Sequence, residues 1–215
     1  MGLHNIIFIA QQKKDLKIFW PSSIAVFGPK TPQHLTPQYA YTNPHTMYGV
    51  TKRAGEHLME YYRVVHKLDI RSLRFPGIIS LDTQPGGGTT DYIIELLLAA
   101  RNNLSYRCFL EANTVLPMMH IRDAVHAMRL LMQVSRSRLK TQTAYNVTGF
   151  SVSPAQVVAA LAAHNIGVSV NYEPDFRQGI AASWPTSIDD TEARNEWGWK
   201  PEYDLSRCIL DALDF

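Results

Sequence analysis

Apolar positions along the chain follow two periods, one helical and one of strands. Leu3, Ile6, Ile7 and Ala10 recur at helical spacing and predict a helix over Gly2–Lys14. No Ser, Thr, Asp or Asn stands before it to cap it, so it reads as a helix entered near its middle. Lys17-Ile18-Phe19-Trp20 predicts a short strand ended by Pro21, because proline cannot donate to a ladder. Gly28–His45, rich in Pro, Thr and Gln, reads as a long loop. The helical period returns over Thr46–His66, and the β-rich run Asp69–Phe75 predicts the next strand. A glycine cluster, Gly86-Gly87-Gly88, precedes a helix from about Thr90 to Arg101. Strands near Tyr106–Leu110, Tyr145–Val147 and Val168–Tyr172 then alternate with helices Arg122–Val134, Ser153–His164, Ile188–Trp197 and Leu205–Leu213. Such alternation predicts an α/β fold with a mostly parallel sheet.

Composition narrows the class. A chain of 215 residues fits one large or two small domains, and 46% apolar with 19% charged residues is typical of a soluble globular protein. A net charge of +2 without a block of like charges gives no reason to expect nucleic acid or an acidic membrane as partner; Lys13-Lys14 is too short to count. Ile93–Ala100 falls well short of a membrane span. The apolar patch Ile6–Ile9 lacks the basic leader and cleavage site of a signal peptide. Cys108 and Cys208 show no metal-type spacing, which points to a reducing compartment.

The candidate chemistry starts from Tyr48 and Lys52, four residues apart and so on one helix face. An ammonium beside a phenol favours the phenolate. A tyrosine so tuned can exchange a proton with a substrate alcohol while hydride leaves for a nicotinamide. Alone, the pair also describes two neighbouring surface side chains. Upstream, Pro21–Gly28 places Ser22 and Ser23 at the carboxyl end of a strand, where open α/β sheets bind ligands. A serine there would hydrogen-bond the reacting oxygen, or only cap a turn. Phe75-Pro76-Gly77-Ile78 ends the following strand in the same way.

With these segments in view the chain resembles the extended short-chain dehydrogenase/reductase superfamily, which includes UDP-galactose epimerases. It is most similar there to the short-chain type of L-threonine 3-dehydrogenases. The resemblance rests on Ile18–Pro29, Tyr48–Lys52, Pro85–Tyr92, Leu116–Met119, Tyr145–Val147, Pro174–Gln178 and Ser183–Asp190. It implies an incomplete Rossmann-type parallel sheet with a smaller C-terminal α/β substrate-binding lobe. Residues 1–84 would be the C-terminal part of the NAD-binding domain. Residues 85–215 would be mostly the substrate lobe, with segments returning to the first domain.

The resemblance also implies NAD as cofactor and L-threonine as substrate. Ser23, Tyr48 and Lys52 would be catalytic. Ser22, Tyr48, Lys52, Pro76, Gly77 and Ile78 would hold the cofactor, and Ser23, Tyr48, Thr89, Thr90 and Asp91 the substrate. A helix start after Gly88 suits a carboxylate, and Asp91 would pair with the substrate ammonium or only stabilise its own first turn. His120-x-x-Asp123-x-x-His126 imitates a ligand set, but related dehydrogenases carry a similar helix start without metal, so none is expected. Arg177 and Trp184 are second candidates, read otherwise as an Asp175 ion pair and as packing. Asp189, Asp190 and Trp197–Pro201 read as structural.

The family begins with a strand, a Gly-x-x-Gly-x-x-Gly turn and an acidic residue for the ribose. None of these occurs here, and Gly86–Gly88 lacks the spacing. The expectation is an N-terminally truncated chain, inactive by itself, with an exposed sheet edge. Relatives pair through the Tyr-x-x-x-Lys helix and the one before it, so a homodimer is implied for the full-length family, in the cytoplasm or the mitochondrial matrix. The alternatives are a sugar-nucleotide epimerase or dehydratase of the same superfamily and a non-catalytic truncated product.

Overall fold

The computed structural model describes residues 2–13, 15–82, 84–141 and 143–213. Helix α1 (Gly2–Gln12) leads into β1 (Lys17–Ser23) and a single 3-10 turn at Ile24–Val26. Then follow α2 (Met47–Val65), β2 (Asp69–Phe75), β3 (Gly77–Ile79), α3 (Tyr92–Arg101), β4 (Tyr106–Cys108), β5 (Leu116–His120) and α4 (Ile121–Gln133). The chain continues through β6 (Tyr145–Asn146), β7 (Phe150–Val152), α5 (Pro154–Ala163), β8 (Val170–Tyr172), α6 (Phe176–Ala182), α7 (Thr191–Trp197) and α8 (Leu205–Leu213). Among the described residues no helix is long and apolar enough to cross a membrane.

The α/β class holds, but the strands divide into three sheets. A parallel sheet of order β1-β2-β6 pairs Lys17 with Asp69 through to Ser23 with Phe75. A second sheet, β3-β5-β7, is parallel at β3 and β5 and antiparallel at β7, and β4 with β8 forms a parallel pair. The break between the first two sheets falls at Pro76. Its nitrogen cannot donate, and beyond it Gly77 takes Met118 of β5 as partner.

Alternation along β1 decides what each face meets. Ile18 and Trp20 pack with Met59 of α2 and with Ile7 and Ala10 of α1. Phe19, on the other face, joins a cluster of Leu73, Tyr145, Leu131, Trp197 and Trp199. The largest core lies between α3, α5, α8 and strands β4, β5 and β7. Helix α2 can approach β1 and the turn after it closely because its glycines leave room. A Cβ on Gly55 would stand 2.4 Å from Trp20 Cζ2, and one on Gly49 2.1 Å from the Ala25 carbonyl oxygen. Cys108 and Cys208 are buried free thiols.

Several element bounds differ from expectation. Strand β1 runs through Pro21 to Ser23. Among the described residues β1 has one strand neighbour, β2, and an edge strand tolerates proline where its nitrogen points away from the partner. Helix α1 ends at Gln12, and its expected end, Lys14, lies outside the described residues. Helix α3 starts at Tyr92 after Asp91, and α7 at Thr191, because Ile188 bridges to Thr36 instead of coiling. Strand β4 stops at Cys108 and β8 begins at Val170. Strands β3, β5 and β7 and helix α6 were not expected at all. Leu-Pro-Met-Met-His lacks β-branched and aromatic side chains, and Phe-Ser-Val is too short to show a period.

Candidate active site

The carboxyl ends of β1 and β2 open into a cleft of about 490 Å³. Ser23 reaches it from β1, and its Oγ accepts from the Ala25 amide at 3.2 Å, capping the 3-10 turn. Tyr48 enters from the first turn of α2, whose start is set by Thr46: the threonine Oγ1 accepts from the Gly49 amide at 3.0 Å. Tyr48 remains 56% exposed. Lys52, one turn on, lies beneath it with Nζ 5.4 Å from the centre of the Tyr48 ring. The ammonium donates to the Pro21 carbonyl at 2.6 Å, and burial pulls the Lys52 pKa below its usual value. Pro76, Gly77 and Ile78 form a second wall, and Gly88, Thr89, Thr90 and Asp91 a third. Asp91 curls back so that its Oδ2 accepts from the Gly88 amide at 2.8 Å.

Expected residues therefore line the cleft, with two exceptions: Lys52, which lies beneath Tyr48, and Ser22. Ser22 points to the opposite side of β1, as neighbouring residues in a strand must. It is 2% exposed and donates to Glu56 Oε1 at 2.5 Å, away from the cleft. Gly77 serves packing, since a Cβ there would stand 2.3 Å from Met118 Sδ. Thr46, Ile24 and Ile180 line the cleft without having been singled out. Thr46 stood in the sequence only as a helix start, and Ile180 lies on the unexpected α6. Trp184, held in reserve, lines the cleft, whereas Arg177 pairs with Asp175 at 2.7 Å and stacks 3.2 Å over Phe109.

Behind the cleft Glu56, fully buried, takes bonds from Arg74 at 3.0 and 2.9 Å and from Arg53 at 3.0 Å. Arg74 also donates to the Gln38 carbonyl and to Asn146 Oδ1, tying β2, β6 and the long loop together. His120 accepts from the Arg122 amide, faces Asp211 at 3.2 Å and stacks on Tyr203 at 4.1 Å. Asp123 receives the amides of Glu202 and Tyr203. His126 lies 6.5 Å from Trp199, and no metal-type cluster forms among the described residues. Asp190 holds Arg194 and the Trp199 indole, and Asp189 receives the Thr191 amide.

A parallel sheet whose β1 ends at Ser23, beside a helix α2 that carries Tyr48 over Lys52, defines the extended short-chain dehydrogenase class. The chain belongs to the NAD dependent epimerase/dehydratase family, whose model matches residues 3–148. Over 215 residues it is 41% identical to the mitochondrial L-threonine 3-dehydrogenase of Bos taurus, covering 100% of this chain and 57% of that one. An uncharacterized epimerase/dehydratase of Staphylococcus saprophyticus is 42% identical, covering 99% of this chain and 68% of its own length. Among solved structures, the holo GalE-like L-threonine dehydrogenase of Cupriavidus necator is 45% identical with a TM-score of 0.95. The alignment covers 98% of this chain and 68% of that one. A monomeric L-threonine 3-dehydrogenase from a metagenome is 42% identical with a TM-score of 0.94, covering 99% of this chain and 68% of that one. The chain thus spans little more than half the length of its bovine relative.

Proposed function

We propose that the chain carries the catalytic and substrate-binding part of an NAD-dependent L-threonine 3-dehydrogenase, which oxidises the 3-hydroxyl to give 2-amino-3-oxobutanoate. The observation that carries this reading is one cleft shared by Ser23 and Tyr48 on one wall and Thr89–Asp91 on another. Ser23 Oγ holds the reacting hydroxyl, and Tyr48 Oη takes its proton as the C3 hydrogen departs. The Lys52 ammonium stabilises the negative charge on the phenolate from below. Asp91 meets the substrate ammonium, with the Thr89 and Thr90 hydroxyls beside it, and Trp184 and Ile180 exclude water.

Bound NAD supplies the hydride acceptor. Tyr48 of α2 and Pro76–Ile78 at the end of β2 line the open cleft and fit its nicotinamide and ribose end, with Lys52 beneath the Tyr48 ring. Ser22 acts indirectly, through the position it gives Ser23. The division into residues 1–84 and 85–215 is part of this reading, supported by β6, which crosses back to pair with β2.

Offering the protein NAD with L-threonine or with nucleotide sugars tests the assignment. NADH should form with L-threonine in protein that carries the family's glycine-rich NAD turn, and the sugars should be left unchanged. Conversion of a nucleotide sugar instead selects the epimerase reading. No turnover, with no heat on NAD titration by calorimetry, selects a non-catalytic product.

We further infer a homodimer formed through α1 and α2. Ile6 and Ile9 on α1 and Leu58, Tyr61 and Val65 on α2 are 41–56% exposed and would be covered in such a pairing. Sedimentation should give twice 24.3 kDa, and Leu58→Glu should reduce it to the monomer. A monomer from the unaltered chain at high concentration refutes the pairing.

A further inference from the structure

Trp20 lies on the α2 face of β1 between Ile18 and Ser22. Its indole packs on Gly55, where a Cβ would stand 2.4 Å from Cζ2 and 2.9 Å from Nε1. Lys52, on the preceding turn of α2, carries Nζ over the same ring at 5.1 Å from its centre. The ammonium is thus bounded by the Trp20 ring, the Tyr48 ring at 5.4 Å and the Pro21 carbonyl at 2.6 Å. A further observation points the same way. Among the described residues Trp20 Nε1 is buried with no hydrogen-bond partner. An unpaired buried N–H is a standing cost, one that leucine or phenylalanine in this place would not carry. Packing alone therefore does not account for an indole. Its face does, because tryptophan offers a cation the most favourable aromatic surface.

We propose that Trp20 is a positioning residue for the Tyr48–Lys52 pair, its ring holding the Lys52 side chain charged and against Tyr48. The catalytic consequence rests on the reaction proposed above, but the hold on Lys52 does not. Of the titratable groups one turn away on its own helix, Tyr48 is its ring partner, and Glu56 is taken by Arg74, Ser22 and Arg53, the residue next to Lys52. Across the cleft Asp91 is bonded to the Gly88 amide. The charged residue of β1, Lys17, sits at its far end on the Met132 carbonyl. Burial draws the Lys52 pKa down; the ring and the carbonyl oppose it.

The test is NMR of protein labelled at the lysine side chain, with the Lys52 signal assigned through Lys52→Met. In the native chain the Lys52 ε-protons should be shifted upfield by the indole ring current. In Trp20→Leu that shift should vanish and the Lys52 pKa fall by about one unit. Trp20→Phe keeps a ring in the core, drops the unpaired N–H, and should lower the pKa by about half a unit. Should Trp20→Leu fail to fold, Trp20→Phe carries the test. No upfield shift in the native chain, or an unchanged Lys52 pKa in a cooperatively melting variant, overturns the proposal. In protein that turns over L-threonine, the rise of kcat/KM with pH should move upward in Trp20→Leu while KM is kept. A pKa change without that kinetic change would overturn the proposed reaction and leave Trp20's hold on Lys52 standing.

Discussion

Tyr48→Phe is expected to lower kcat for L-threonine by about 10²- to 10⁴-fold, the usual contribution of a positioned general acid–base. The substitution removes one oxygen from a ring that stands 56% exposed at the mouth of the cleft. Among the described residues no hydrogen bond runs through that oxygen; Tyr48 bonds its neighbours through its main chain, as where its carbonyl accepts from Thr51. Stability should hold within about 0.5 kcal/mol, the usual range of surface changes. KM should stay near that of the unaltered protein, because Asp91 and the Thr89–Thr90 pair remain. Steady-state kinetics and a thermal melt on the same preparation separate the two effects. Turnover within a few-fold of the unaltered protein would remove Tyr48 from the reaction and with it the proposed chemistry.

Glu56→Ala is expected to cost about 3–5 kcal/mol of stability, the largest loss of any single change considered. Burial alone would push the Glu56 carboxyl up, but the charge and hydrogen bonds of Arg74, with Ser22 and Arg53, outweigh it and leave the pKa lowered. Removing the carboxylate strands the Arg74 guanidinium, itself 2% exposed, in the space between β2, β6 and the long loop. The sign follows from the lowered pKa. The unfolded chain binds the proton more tightly, so the pair's contribution is full above about pH 4.3, the ordinary glutamate value. It is lost as the pH falls through the lower folded value. Urea unfolding at neutral pH should therefore show the full difference between Glu56→Ala and the native chain, and acid should narrow it. A loss below about 1 kcal/mol at neutral pH would mean that Arg74 finds water or another partner. The consequence would extend to the cleft, since Ser22 would lose its acceptor and Ser23 is the next residue.

Much of the cleft was legible because its parts are local. The Tyr48–Lys52 spacing needs only a helix, and the capped start at Thr46 supplies one. Ser23, Pro76–Ile78 and Thr89–Asp91 were read from strand ends and a glycine cluster. Ser23 and Pro76–Ile78 meet because the paired strands β1 and β2 end at one edge, and the loop before α3 brings Thr89–Asp91 to the same cleft. Ser22 shows the limit. Two adjacent serines look alike in a sequence, and only the register of β1 against β2, Ser23 opposite Phe75, decides which faces the cleft. Ile180 escaped for a different reason: it sits on a seven-residue helix, too short to declare a period, and reaches the site across a long sequence separation.

What the sequence alone determined is the α/β alternation, the helix that carries Tyr48 and Lys52, and the type of chemistry they allow. These follow from hydrophobic period, capping and side-chain reach, all of which act over a few residues. Only the tertiary structure decided that Pro76 would end one sheet and let Gly77 open another. It also decided that Glu56 would be consumed by Arg74 and Ser22, and that Trp20 would lie under Lys52. Such choices depend on which surfaces are brought together at long range, and burial then fixes the partner each polar group must find.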